Sequence, residues 1–175
     1  HNTYCLTPMQ AGMFLHALAA PHSGDDVEQV IGTLHEALNL PAFKQAWQCL
    51  VDRHEALRMR FSLDEKGNAR QHPLAEVTLR FDEHDWAHWP PEEQAHKLEA
   101  FLQEDRRRGF DPRAELPIRI ALFRCGAMDH RFVWTWWHGI LDGRARLSLM
   151  RELFQYYEAF RKHETCELPR PRRYT

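Results

Sequence analysis

The chain switches repeatedly between two apolar periodicities, and this limits it to folds that combine helices with strands. Apolar residues recur at spacings of three and four from Phe43 to Leu57 and from Leu147 to Phe160, which predicts two amphipathic helices. Between them, Arg131–Trp137 is a β-branched and aromatic run, as found in buried strands. We therefore predict an α/β protein with several helices covering at least one face of a mixed β-sheet.

Capping and turn residues set the expected boundaries of the other elements. Thr7 can accept the backbone N–H of Gln10 while the Gln10 side chain binds back, which predicts a helix from Pro8 to about Ala20. Alternating apolar residues and turn residues predict strands, and Pro and Gly predict the ends of a third helix. These further elements are strands at Glu28–Leu38, Val77–Phe81 and Ile118–Leu122, a hairpin of Met59–Leu63 with Ala69–Pro73, and a helix from Pro90 to Gly109.

Composition and charge exclude several classes of partner. A chain of 175 residues with 43% hydrophobic residues is long enough for one domain with a core. Its formal net charge of -2 provides no basic excess, so we do not expect nucleic acid as a partner. No stretch reaches the roughly 20 apolar residues that span a bilayer, and His1–Gln10 lacks a basic region followed by an apolar run. We expect a soluble, cytosolic protein without a membrane partner.

The cysteines and histidines give no metal or redox motif. The four cysteines are scattered without a CxxC pair, so we expect reduced thiols. His84 and His88 imitate the histidine spacing of the HExxH zinc motif, but their stretch leads into Trp89-Pro90-Pro91. That motif needs both histidines on one helical face, so we expect no metal site here.

Trp136–Gly143 is the strongest candidate for a chemical site, because it lies where a buried strand ends and a helix begins. An imidazole at this junction, His138, could act as a general base near neutral pH. The alternative interpretation is that His138 is a hydrogen-bonded core histidine and Asp142 only the N-cap of the following helix. The segment alone does not decide between the two.

Three motifs together favour the chemical interpretation. His138–Gly143 matches HxxxDG, Arg53–Phe61 matches RHExLRxxF, and Leu6–Met13 contains an S/T-P-x-Q motif. In their order and spacing they resemble the condensation domains of nonribosomal peptide synthetases. Phe110–Arg119 and Leu168–Tyr174 also resemble connecting segments of that family. HxxxDG alone is less specific, since chloramphenicol acetyltransferase and other acyltransferases share it.

The resemblance covers essentially the whole chain but only the first half of such a domain. It implies a chloramphenicol acetyltransferase-like lobe over residues 1–166, with 167–175 as the start of a connector to a second lobe absent from this sequence. In the family the active site lies in a tunnel between the lobes. An isolated lobe would expose the surface that faces its partner, so we expect self-association and no condensation by this fragment alone.

The family resemblance also implies roles for individual residues. His138 would take a proton from the attacking amine or stabilise the tetrahedral intermediate, and the backbone N–H of Gly143 would donate to the oxyanion or the substrate. Asp142 would be a structural anchor paired with Arg58. Trp137 replaces the first His of the fuller HHxxxDG motif. Since successive strand side chains point to opposite faces, we interpret Trp137 as a packing residue.

Cofactors, partners and competing functions follow from the same resemblance. The chain itself needs no cofactor, because substrates arrive on the 4'-phosphopantetheine arms of peptidyl or acyl carrier proteins. One alternative is another HxxxDG acyltransferase that makes esters or amides from CoA or carrier thioesters. A second is an inactive scaffold or carrier-docking lobe.

Overall fold

Two β-sheets and four helices account for most of the computed structural model, which describes residues 3–171. The last four residues of the predicted 167–175 connector, and the end of the Leu168–Tyr174 segment, lie outside the described residues. The elements are β1 Tyr4–Cys5, α1 Pro8–Ala19, β2 Val27–Leu34, α2 Leu40–Arg53, β3 Met59–Leu63, β4 Ala69–Pro73, β5 Phe81–Asp85, α3 Pro91–Arg108, β6 Ile118–Gly126, β7 Asp129–Trp137 and α4 Gly143–Arg161. Short 3-10 turns form at Glu55–Arg58 and His138–Ile140.

The larger sheet has the strand order β2-β7-β6-β5. β7 pairs antiparallel with β2 and β6, whereas β5 pairs parallel with β6, so this sheet is mixed as predicted. A smaller antiparallel sheet has the order β1-β4-β3 and contains the predicted hairpin. The prediction of an α/β protein is confirmed.

Helices cover both faces of the larger sheet. On one face, Trp134 of β7 packs on Trp47 of α2 with ring centroids 5.5 Å apart, and α2 also packs on α4. On the other face, Phe123 of β6 packs on Phe101 of α3 at 5.0 Å. β7 is therefore buried on both sides, which explains its nearly continuous apolar sequence.

Locally encoded boundaries agree with the structure. Thr7 caps α1, and its side chain and that of Gln10 form the reciprocal capping box. α3 ends at Gly109, whose φ of 63° lies in the left-handed region that glycine tolerates. All four cysteines are free thiols, in accord with the expectation.

Several strands begin or end differently from the sequence prediction: β6 continues to Gly126 rather than Leu122, and β7 begins at Asp129 rather than Arg131. β2 stops at Leu34, which pairs with His130 of β7, rather than at Leu38. The strand predicted from Val77 begins only at Phe81. Instead, the Gln48 side chain donates to the Val77 carbonyl at 2.7 Å and accepts from the N–H of Leu79 at 3.0 Å. This side chain satisfies backbone groups that a neighbouring strand would otherwise bind.

Candidate active site

His138 lies where β7 ends, and backbone hydrogen bonds on both sides fix its position. The N–H of Trp137 donates to the Pro117 carbonyl at 2.9 Å, and the N–H of His138 donates to the Asp26 carbonyl at 2.8 Å. The chain then turns through His138–Ile140. The His138 side chain is 37% exposed. The imidazole is therefore held by a rigid sheet while remaining accessible to a substrate.

The carboxylate of Glu28, on β2, lies against Nδ1 of His138. Glu28 pairs with Trp136 in the antiparallel register, so its side chain lies on the sheet face that also carries Val30 and Leu34. Glu28 was not predicted from the sequence as a site residue. The sequence does show that this carboxylate lies on the same strand face as the apolar residues Val30 and Leu34. Its proximity to His138, however, depends on the register between β2 and β7.

Trp137, in the position of the first motif histidine, is a core residue. It is 1% exposed, and its ring packs edge-on against Phe61 at a centroid distance of 4.7 Å. The same ring covers Gly139, where a Cβ atom would lie 2.5 Å from the indole carbons. Trp137 thus supports the turn that begins at His138 and occupies a different environment from the half-exposed imidazole.

Gln10, from the S/T-P-x-Q motif, connects α1 to the same turn. Its amide donates to the Gly139 carbonyl at 2.9 Å. Its side-chain oxygen accepts from the N–H of Thr7 at 3.0 Å and from the amide of Gln71 at 3.1 Å. The motif therefore has a structural reason, since one buried amide joins a helix start, the smaller sheet and the histidine turn.

Asp142 is exposed and caps α4, in accord with its interpretation as the N-cap of that helix. Its Oδ1 accepts from the N–H of Arg144 at 3.0 Å and of Ala145 at 2.8 Å. Gly143 is the first residue of the helix and is exposed. Apart from its chain neighbours and the backbone of α4 itself, no atom of residues 3–171 lies within 4 Å of a Cβ position there, so its backbone is open to approach.

The predicted ion pair between Arg58 and Asp142 is wrong. The Arg58 guanidinium donates to three backbone carbonyls, those of Val51 at 3.1 Å, Leu74 at 2.9 Å and Asp52 at 3.2 Å. Val51 and Asp52 belong to the last turn of α2, where carbonyl groups lack helical partners and attract a cation. Arg58 therefore joins the end of α2 to the segment after β4 and does not anchor the HxxxDG turn.

Arg53 and His54 of the RHExLRxxF motif bind α4 and the segment after it, whereas Glu55 accepts from the Tyr4 hydroxyl at 3.2 Å. Arg53 donates to Glu152 at 3.3 Å, and the His54 Nε2 atom contacts the other oxygen of the same carboxylate. Arg53 also donates to the carbonyls of Leu168, at 3.3 Å, and Pro169. This cluster fixes the backbone of Leu168 and Pro169 against the end of α2.

A cavity of about 780 Å³ lies between the Glu55–Arg58 turn and the start of α4. Arg58, Asp142, Arg144 and Glu152 are among its lining residues, whereas His138 is not one of the described residues that line it. The cavity adjoins these charged residues, but the imidazole does not open into it.

The described part of the chain contains neither a cluster of potential metal ligands nor a helix suited to a bilayer. Across residues 3–171, no three His, Cys, Asp or Glu side chains are placed to hold an ion together. His84, from the HExxH-like stretch, instead stacks on Phe123 at a centroid distance of 5.0 Å. No helix of these residues has the length and apolar character needed to cross a membrane.

The arrangement of sheets and helices defines the class of protein. This is a chloramphenicol acetyltransferase-like lobe, as in solved condensation domains. The starter condensation domain of rhizomide synthetase superposes with a TM-score of 0.85 at 17% identity, over 94% of this chain and 41% of that chain. The first condensation domain of the calcium-dependent antibiotic synthetase gives a TM-score of 0.83 at 21% identity, over 96% and 40%.

Sequence comparisons then establish the family. Residues 1–175 match the family described as Condensation domain, and the chain belongs to it. A linear gramicidin synthase polypeptide from Brevibacillus parabrevis is 37% identical over 171 residues, which are 98% of this chain and 3% of that protein. Surfactin synthase subunit 3 from Bacillus subtilis (strain 168) is 29% identical over 168 residues, 96% of this chain and 13% of that protein. The chain thus spans a small part of these relatives, and the resemblance to nonribosomal peptide synthetases is confirmed.

Proposed function

We propose that this chain supplies the catalytic histidine of an acyltransferase that forms amide bonds in nonribosomal peptide synthesis. One observation carries the proposal: the His138 imidazole is half-exposed at a rigid strand end, in a chain that belongs to the condensation-domain family. The sequence relatives named above are peptide synthases, which supports amide formation as the reaction.

In the proposed reaction, the acceptor amine nitrogen attacks the carbonyl carbon of the donor thioester. His138 takes the proton lost by the amine, or stabilises the zwitterionic tetrahedral intermediate, and the C–S bond breaks as the amide forms. The released thiolate takes up the proton. The N–H of Gly143 donates to the oxyanion at the start of α4, where the backbone is open and the helix dipole favours negative charge.

The substrates and partners follow from this reaction. Donor and acceptor arrive on the 4'-phosphopantetheine arms of peptidyl or acyl carrier proteins, so the lobe itself holds no cofactor. Residues 167–175 lead to a second lobe that completes the active-site tunnel. The contacts of Arg53 with the carbonyls of Leu168 and Pro169 support a fixed starting direction for that connector.

A second candidate is acyl transfer from CoA rather than from a carrier. A mutant starter condensation domain of rhizomide synthetase, at TM-score 0.82 and 16% identity over 93% of this chain and 37% of that chain, was crystallised with C8-CoA and Leu-SNAC. The presence of Trp137 in place of the first motif histidine does not support the alternative of an inactive scaffold lobe, because Trp137 is buried beside Phe61 and leaves His138 accessible.

The test uses the synthetase that carries this chain, with loaded donor and acceptor carriers and mass spectrometry of the product. His138→Ala is expected to lower the condensation rate by about 10²- to 10⁴-fold, the usual contribution of a general base. His96→Ala, an exposed histidine on α3, is the matched control and is expected to leave the rate unchanged. A normal rate for His138→Ala would refute the proposal, and turnover with acyl-CoA alone would favour the second candidate.

A further inference from the structure

We propose that Glu28 is a positioning residue that holds the neutral imidazole of His138 in the Nδ1–H tautomer, so that Nε2 carries the lone pair that accepts a proton. The proposal deepens the function proposed above and rests on it for its catalytic meaning. The assignment of the tautomer depends only on the contacts of this chain.

The first argument is the donor and acceptor chemistry of the two groups. An ionised carboxylate only accepts hydrogen bonds, so a ring nitrogen that faces it must carry the hydrogen. The Glu28 carboxylate lies against Nδ1 of His138 as a charge contact rather than as an aligned hydrogen bond, and among the described residues no other group hydrogen-bonds that nitrogen. In a neutral imidazole only one nitrogen is protonated, so the lone pair is left on Nε2.

The second argument is that the backbone on either side of Glu28 is fixed. Arg106 of α3 donates to the Val27 carbonyl at 2.9 Å and to the Gln29 side-chain oxygen at 3.2 Å. The Gln29 amide in turn donates to Asp105 at 2.9 Å. The residues before and after Glu28 are thus clamped to α3, which limits the freedom of its carboxylate relative to the imidazole.

His54 provides an internal reference, because its other ring nitrogen faces a carboxylate. His54 presents Nε2, not Nδ1, to the carboxylate of Glu152. The same chemistry predicts the Nε2–H tautomer for His54 and the Nδ1–H tautomer for His138 in one sample.

The experiment is long-range ¹H–¹⁵N correlation NMR of this chain at a pH where both rings are neutral. The expected wild-type spectrum shows a protonated-type ¹⁵N shift at Nδ1 of His138 and a lone-pair-type shift at Nε2, with the reverse pattern for His54. Glu28→Ala is expected to move His138 towards the Nε2–H tautomer. Glu28→Gln can present either its oxygen or its NH₂ group to Nδ1, so a mixed tautomer is expected.

Glu83→Ala is the matched control, because it removes another partly exposed strand carboxylate, one paired with Lys44 at 3.0 Å on the far edge strand. It is expected to leave both His138 shifts unchanged. An Nε2–H tautomer for wild-type His138 would overturn the proposal without any variant, and so would unchanged His138 shifts in Glu28→Ala. A carboxylate that only stabilised the fold would not move these shifts.

The catalytic consequence is measured separately in the synthetase. Glu28→Ala is expected to lower kcat by about 10-fold while KM for the loaded carriers stays unchanged, as for loss of orientation of a general base. A normal kcat in Glu28→Ala would show that the contact between Glu28 and His138 does not contribute to catalysis. If His138→Ala kept normal condensation, the proposed function would fail, whereas the tautomer assignment would still be decided by the spectra.

Discussion

Gln10 donates its side-chain amide to the backbone carbonyl of Gly139 at 2.9 Å, across 129 residues of sequence. Gly139 follows His138 in the turn, so the first helix of the chain helps to place the proposed catalytic residue. Gln10 is buried, and its oxygen accepts hydrogen bonds from both Thr7 and Gln71. One side chain therefore couples the cap of α1 to the geometry of the candidate active site.

Gln10→Ala is expected to destabilise the fold by about 1–3 kcal/mol, because it leaves buried backbone and amide groups without partners. Urea denaturation followed by tryptophan fluorescence measures the change. Gln103→Ala is the control: its amide makes an exposed bond to Glu99, and a change below about 0.5 kcal/mol is expected. Equal losses in the two variants would contradict the structural role of Gln10.

Gly139→Ala is expected to cost about 1–3 kcal/mol, because the added Cβ would overlap the Trp137 ring. The cost should fall when Trp137 is replaced by the smaller histidine, so the double variant Trp137→His with Gly139→Ala tests the cause. Gly12→Ala, in an open position on α1, is expected to gain about 0.5–1 kcal/mol instead. The same Gly139→Ala cost in both backgrounds would contradict the proposed overlap.

Features set by neighbours in sequence could be predicted, because local geometry determines them. The cap of α1 at Thr7, the β3–β4 hairpin and the end of α3 at Gly109 each depend on residues close by in the chain. The strand expected from Val77 failed for the opposite reason. The alternating pattern indicates which side chains are buried, but the Gln48 side chain, 29 residues away, binds that backbone.

The sequence predicted which segment carries the candidate site, but it did not predict which side chains contact each other there. The HxxxDG motif identified His138 from the sequence, but the Glu28 carboxylate reaches it only through the β2–β7 register. The expected pairing of Arg58 with Asp142 failed because each has a local alternative. Helix-terminal carbonyls attract the guanidinium, and backbone N–H groups attract the carboxylate.

A double-mutant cycle on Arg58 and Asp142 tests this correction. Asp142→Ala is expected to cost about 1 kcal/mol through loss of the α4 cap, and Arg58→Ala about 1–3 kcal/mol through loss of bonds to three carbonyls. With no direct interaction, the two losses should add within about 0.5 kcal/mol in chemical denaturation. A coupling energy well above that value would show that the two side chains form an ion pair in solution.

Acid is expected to loosen the β3–β4 hairpin through Asp64. The backbone N–H of Asn68 donates to this carboxylate at 2.8 Å, which lowers the pKa of Asp64 below its ordinary value of 3.8. A lowered folded-state pKa means that the stabilisation is present above 3.8 and is lost as the pH falls below it. The hydrogen-exchange protection factors of the Gly67 and Asn68 amides should therefore increase between low pH and neutral pH. In Asp64→Asn this dependence should disappear, and its persistence would point to another group.

Self-association of the lobe is expected to involve the elements next to the histidine turn. Met9 on α1 is 69% exposed and Leu147 on α4 is 64% exposed, and these helices flank the His138–Ile140 segment. Apolar side chains in such positions favour association when nothing covers them. Sedimentation velocity over a concentration series should show a reversible monomer–oligomer equilibrium, and Leu147→Glu should weaken it. Met128→Glu, at a 59% exposed site in the β6–β7 turn, should not. A monomer at every concentration would exclude this surface as a self-association site.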